Sequence, residues 1–195
     1  MKKFLTILGV AGMLLVMSQS AWAQKFKVLE GDAKALKNIS SMSVEYVYAP
    51  MGVGKFDDEA DYLAKKVKEY NEKESGKGTT WKKSWIGDRT KRYEPTFEEL
   101  FNKHAQTQIA GKGEYKMVMH TTFTEPGYNV VVHRKNAMID AIFTITNASG
   151  AVVAKIEMTK SPGRTFGGND YDTGLRIEEA YAMAGKALAK KYFGK

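Results

Sequence analysis

The chain has 195 residues, 30 lysines and arginines against 22 acidic residues, a net charge of +8 and no cysteine. Without cysteine, disulfides, thiolate metal sites and the lipid-modified cysteine of a bacterial lipoprotein are all excluded. The excess positive charge points to anionic envelope polymers or lipid headgroups before nucleic acid, or else serves solubility alone, because the charges are scattered rather than blocked.

The first 23 residues read as a secretory leader. Lys2 and Lys3 make a positive start, residues 4–17 an apolar core, and Ala21-Trp22-Ala23 a small-x-small cleavage site. The apolar run breaks at Ser18-Gln19-Ser20, short of the ~20 residues a spanning helix needs, and no later stretch is long and apolar enough to take its place. Cleavage after Ala23 is expected to leave residues 24–195 as a single exported domain, with no repeat or low-complexity linker dividing it.

Within that domain a short extended start precedes residues 42–48. These alternate as a strand, Val44, Tyr46 and Tyr48 facing one way, until Pro50, Gly52 and Gly54 end it. Ala60, Leu63, Ala64, Val67 and Tyr70 then recur at helical spacing behind Asp57, Asp58 and Glu59, whose carboxylates suit a helix N-terminus. Residues 72–80 are polar, contain Gly76 and Gly78, and predict a surface loop. Residues 81–86 predict a short strand on which Trp81, Lys83 and Trp85 share a face. Thr96-Phe97-Glu98-Glu99 has the capping-box pattern and opens a helix with Phe97, Leu100, Phe101 and His104 on one side.

Residues 115–124 and 137–146 show strand periodicity, and residues 128–133 fit an edge strand or an extended connection. Asn147-Ala148-Ser149-Gly150 makes a hairpin loop into a third strand, where Val152, Ala154, Ile156 and Met158 alternate with Val153, Lys155, Glu157 and Thr159. A glycine-rich loop over residues 161–168 leads to a final helix, 173–193, with Ile177, Tyr181, Ala184, Leu188 and Tyr192 as its stripe. The sum is an α+β domain: a mixed, mainly antiparallel sheet of four or five strands with about three helices on one face.

Chemistry is sparse. Gly52-Val53-Gly54-Lys55 lies between strand and helix but lacks the first glycine and the Ser or Thr of a phosphate-binding loop, having Ala49 and Phe56 there. Asn169, Asp170 and Asp172 open like a calcium loop, yet Tyr181 stands where the bidentate glutamate belongs, so capping of the last helix is the favoured reading. The three histidines have no metal-ligand spacing, no Gly-x-Ser-x-Gly elbow is present, and neither a metal nor a cofactor is expected. Asp140, interrupting an apolar strand, is the carboxylate a small hydrolase would use, or a residue of the solvated sheet face. The candidate ligand-binding surface interleaves Trp81, Lys83 and Trp85 with Arg89 and Arg92, joined by Arg164 and Phe166 from the glycine-rich loop. The competing reading makes both tryptophans core residues.

From Asp140-Ala141-Ile142-Phe143-Thr144-Ile145 through Gly150 to the alanine-rich last helix, the order of elements over residues 96–193 is similar to small exported bacterial α/β domains of unknown function. More distantly it resembles the N-terminal domain of TolB and the curli-secretion lipoprotein. The resemblance implies a helix-covered mixed sheet and an accessory or assembly role in the envelope, with no catalytic residues to carry over; the lipoprotein members keep a cysteine anchor that this chain lacks. The expected function is that of a non-catalytic periplasmic binding or assembly protein, whose partner is an anionic polymer or another envelope protein. A carboxylate hydrolase and a self-associating structural subunit are the alternatives, and the sequence leaves the oligomeric state open.

Overall fold

The computed structural model describes residues 24–130 and 133–194, so residues 1–23, which the sequence reads as a leader, lie outside the described residues. Its frame is a seven-stranded mixed sheet. The strands are β1 (Lys25–Gly31), β2 (Ser41–Val47), β3 (Gly52–Val53), β4 (Gln108–Ile109), β5 (Tyr115–Glu125), β8 (Met138–Thr146) and β9 (Val152–Pro162), and the order is β1-β9-β8-β5-β2-β4 with β3 following β2 along β5. Of residues 128–133, ambiguous in the sequence, the described ones fall in a separate two-stranded ribbon of β6 (Tyr128–Val130) and β7 (His133–Lys135). The α+β class and the mixed sheet are as the sequence predicts. The sheet is larger because two-residue strands such as β3 and β4 are too short to show a period.

Antiparallel pairing joins β5, β8 and β9, with Met119 opposite Phe143 and Phe143 opposite Ile156; β2 runs parallel to β5, Val44 beside Met117. Along β8 every second residue is buried, and Ile139, Ala141, Phe143 and Ile145 point to the same side as Met117, Met119, Ala154, Ile156 and Met158, all fully enclosed. The Asn147 side chain closes the β8–β9 loop by accepting from Ser149 N and Ala151 N, while Gly150 takes φ +81°.

Three helical rods accompany the sheet: α1 (Glu59–Lys73); α2 (Lys77–Asp88) running through a π turn (Arg89–Tyr93) into α3 (Glu94–His104); and α4 (Gly174–Leu188) with a terminal π turn (Ala189–Phe193). Helices α3 and α4 run parallel over the apolar face, Phe97 stacking on Phe143 at 6.0 Å and Phe101 meeting Phe193 at 5.1 Å. Tyr46 and Tyr48 tie β2 to α3 by donating to Glu98 and Glu94 at 3.1 Å each. Helix α1 pairs with α2 instead of lying on the sheet.

Three local expectations are corrected. Residues 81–86 are helical, because Trp81 and Trp85 stand four residues apart and share a helix face as readily as a strand face, and Tyr62 and Tyr70 of α1 receive both rings. Residues 72–80 hold only a tight turn: α1 runs to Lys73, and Gly78, where a Cβ would meet Val67 O at 2.2 Å, lets the two helices touch. Thr96 is no cap. The helix enters from the π turn, which widens the coil just ahead of Pro95, and Thr96 Oγ1 donates to Glu178 at 3.1 Å.

Gly185 sets how closely α3 and α4 approach, since a Cβ there would stand 2.3 Å from Phe97 O. Gly185→Ala is expected to cost about 2 kcal/mol through overpacking, read as a lower urea midpoint at an unchanged slope.

Candidate functional site

Of the seven residues proposed as a binding surface, Trp81 and Trp85 are 2% and 6% exposed, too buried to offer a ring face for stacking. They form an aromatic cluster with Tyr62, Tyr70 and Tyr171 between α1 and α2. Arg89 is half-buried: its guanidinium grips Glu59 at 2.5 and 2.6 Å and lies over Tyr48 at 4.3 Å, while Trp85 Nε1 donates to the same carboxylate at 2.7 Å. Arg164 pairs with Glu179 at 2.9 Å, Phe166 is 59% exposed under the Arg134 guanidinium, and Lys83 sits on the outer face of α2. The surface thus divides into a core cluster and separate surface contacts. Trp81 and Trp85 instead contribute to a cleft of about 390 Å³ shared with Asp88, Lys91, Arg92 and Asp172.

In that cleft Arg92 pairs with Asp88 at 3.0 Å, and Asp172, one residue ahead of the cap position Thr173, accepts from Gly174 N through Oδ1 at 3.2 Å, while Thr173 itself makes no side-chain cap bond. Burial raises the Asp88 pKa, with Arg92 opposing and Asp172 adding to the rise. Asp140 lies at a bulge between β8 and β9. Its carboxylate accepts from Lys160 N at 2.6 Å and steadies a residue at φ +61°, and burial raises its pKa against the opposing pull of that hydrogen bond. Among the described residues, no three His, Asp or Glu side chains are grouped as a metal ion would require.

A second cleft, of about 380 Å³, opens beside α1 and joins the Gly54-Lys55-Phe56 turn, which fails as a phosphate-binding loop, to lysines that no sequence motif singled out. Its cations are Lys55 from the β3–α1 turn, Lys65 and Lys66 from α1, and Lys135 from β7; its rings are Phe56, Tyr62 and Tyr128. Four lysines face two lining carboxylates, and both carboxylates are engaged. Glu125 accepts from Lys135 Nζ at 2.5 Å and from Gly127 N at 3.1 Å, and Asp170 lies 3.5 Å from the Arg176 guanidinium. Arg176, only 1% exposed, also donates to the carbonyls of Pro126 and Gly127 and so fixes the wall from behind. Lys65 and Lys66 share Glu69 at 2.8 and 3.6 Å, flexible surface pairs that an incoming anion can replace. Tyr128 is 40% exposed and presents the open ring that the tryptophans do not. No periodic signal marked these lysines, since they come from a turn, a solvated helix face and a ribbon.

No protein-family model and no curated protein matches the chain. Solved structures similar to it include two crystal forms of the PelC dodecamer from Paraburkholderia phytofirmans, one a point variant. Both are 13% identical, with TM-scores of 0.38 and 0.39, covering 87% and 86% of this chain and 99% and 98% of that one. A Xanthomonas campestris protein described as DUF330 is 11% identical at a TM-score of 0.41, covering 77% of this chain and 81% of its own. The likeness to TolB and the curli-secretion lipoprotein is not what these comparisons show, and at such scores the matches carry no functional argument.

Glu59→Ala is expected to strand the Arg89 guanidinium and the Trp85 N–H, at a cost of about 3 kcal/mol in chemical denaturation. The raised pKa of Asp88 means that the folded chain holds this proton more tightly than the unfolded one. The associated stability is complete below the ordinary aspartate value of ~3.9 and is lost as pH rises through the folded value. Asp88→Asn should therefore be more stable than the parent at neutral pH, the gap closing below about pH 4.

Proposed function

We propose that this chain is a non-catalytic, exported accessory protein of the cell envelope that binds an anionic polymer, of the uronic-acid polysaccharide class, in the cleft beside α1. The observation that carries the reading is the convergence of Lys55, Lys65, Lys66 and Lys135 around the rings of Phe56, Tyr62 and Tyr128. Ammonium groups meet carboxylates spaced along a polymer, and an exposed ring such as Tyr128 lies flat on a sugar face. Burial holds the Tyr62 hydroxyl well above its ordinary pKa, so the floor of the cleft stays neutral and adds no repulsion. Export is supported by the leader pattern at residues 1–23, and the role in envelope assembly follows from the compartment and the ligand class together.

The hydrolase alternative rests on Asp140, which holds the bulge at Lys160 and lines neither of the two clefts described above. The self-associating alternative meets an edge strand, β1, that carries Lys25 and Lys27 and a register break after Val28, features that oppose edge pairing.

The test is calorimetric titration with polygalacturonate and with neutral dextran. Binding of the acidic polymer alone, weakening with salt, is expected, and Lys65→Ala/Lys66→Ala should reduce affinity about tenfold or more, about 1.4 kcal/mol. Equal binding of dextran, or an unaffected double variant, would overturn the assignment.

A further inference from the structure

The corner where α3 and α4 end carries a second group of cations, built from different elements than the cleft. The two helices lie parallel, with Thr96 bonded to Glu178 at one end and Gln106 N donating to Phe193 O, at 2.8 Å, at the other. Both C-terminal ends therefore reach the same surface, where outward carbonyls favour cations. Lys103 occupies the last turn of α3, Lys186 that of α4, and Lys190 and Lys191 the π turn beyond it. The short 3-10 turn Ala35–Asn38, which packs on that π turn, brings Lys34 and Lys37 to the same side. Acidic residues near the corner are Glu99, one turn before Lys103, Glu30 of β1 beside Leu29, and Asp32, whose carboxylate is bonded to Lys34 N; Glu94 and Glu98 of α3 and Glu178 and Glu179 of α4 lie toward the other ends of their helices.

The lysines have apolar company. Phe26 of β1 meets Tyr192 edge-on at 5.8 Å, Lys191 Nζ lies 5.4 and 5.8 Å from the two ring centres, and Val28 and Leu29 of β1 are each 41% exposed. Exposed aliphatic side chains such as Val28 and Leu29 give a soluble acidic polysaccharide no partner. Lysines bordered by an aromatic pair and exposed aliphatic residues match a bilayer interface, where stems and rings enter the headgroup layer while the ammonium groups stay on phosphate.

We infer that the corner formed by β1, the 3-10 turn and the C-terminal ends of α3 and α4 docks on an anionic phospholipid surface. The lysines take the headgroup phosphates, and Val28, Leu29 and Tyr192 rest in the interfacial layer. The lowered pKa of His104, set by desolvation and then by Lys190, Lys186 and Lys103, agrees with a positive local field.

The experiment is co-sedimentation of the chain, purified after export, with vesicles of phosphatidylcholine alone and of phosphatidylcholine with phosphatidylglycerol, at low and high salt. Binding is expected to the anionic vesicles only and to fall with salt. Lys186→Ala/Lys190→Ala/Lys191→Ala should lower partitioning about a hundredfold, while Lys65→Ala/Lys66→Ala in the cleft leaves it unchanged. Because Lys186 is half-buried, Lys190→Glu/Lys191→Glu, confined to exposed positions, serves as the second variant and should abolish binding with an unchanged circular dichroism spectrum. Equal binding to both vesicle types, retained binding by the glutamate variant, or loss of binding in the cleft variant instead would overturn the proposal.

Discussion

The structure depends on one constraint: β5, β8 and β9 present a single continuous apolar face, and water must be kept from it. Met117, Met119, Phe143, Ile145, Ile156 and Met158 are fully enclosed, and nothing local to the strands could achieve that. The cover is α3 and α4, and it works because Gly185 lets their backbones come together while Phe97, Phe101 and Phe193 fill the layer beneath. The opposite face, with Lys116, Glu45, Lys155 and Glu157, is left half-exposed, as an antiparallel sheet allows.

Helices α1 and α2 join the same buried core from the side, through Tyr62, Tyr70, Trp81 and Trp85, and Glu59 ties them to the sheet-packed part of the molecule, its carboxylate receiving both Arg89 and the Trp85 N–H. The two clefts open beside these helices. A ligand there can be met by side chains from α1, the β3–α1 turn, the ribbon and the segment around Asp170 without disturbing the main core. The cleft's lysines come from surface elements, while Arg176 behind them is buried and bonded to the carbonyls of Pro126 and Gly127, and Tyr62 belongs to both the core and the cleft.

The α+β class, β8, β9 and their loop, and the stripe of the last helix were legible because each obeys a period of two or 3.6 over many residues, or a turn chemistry such as Asn147 with Gly150. The tryptophan segment was not. Over six residues, positions 81 and 85 satisfy both periods, and only the presence of Tyr62 and Tyr70 on a neighbouring helix selects the coil. The glycines at 76 and 78 read as freedom, yet Gly78 serves close approach, a requirement set by another element.

The candidate site divides along the same line. By itself the sequence determined the basic charge, the absence of thiol chemistry, the leader pattern and the alternating apolar face, because these follow from composition and from order along the chain. Only the tertiary structure decided that Trp81 and Trp85 turn inward, that Asp140 holds a bulge, and that Lys55, Lys65, Lys66 and Lys135 share one cleft. Burial and convergence depend on distances between residues far apart in sequence, and those distances exist only after the apolar face has been covered.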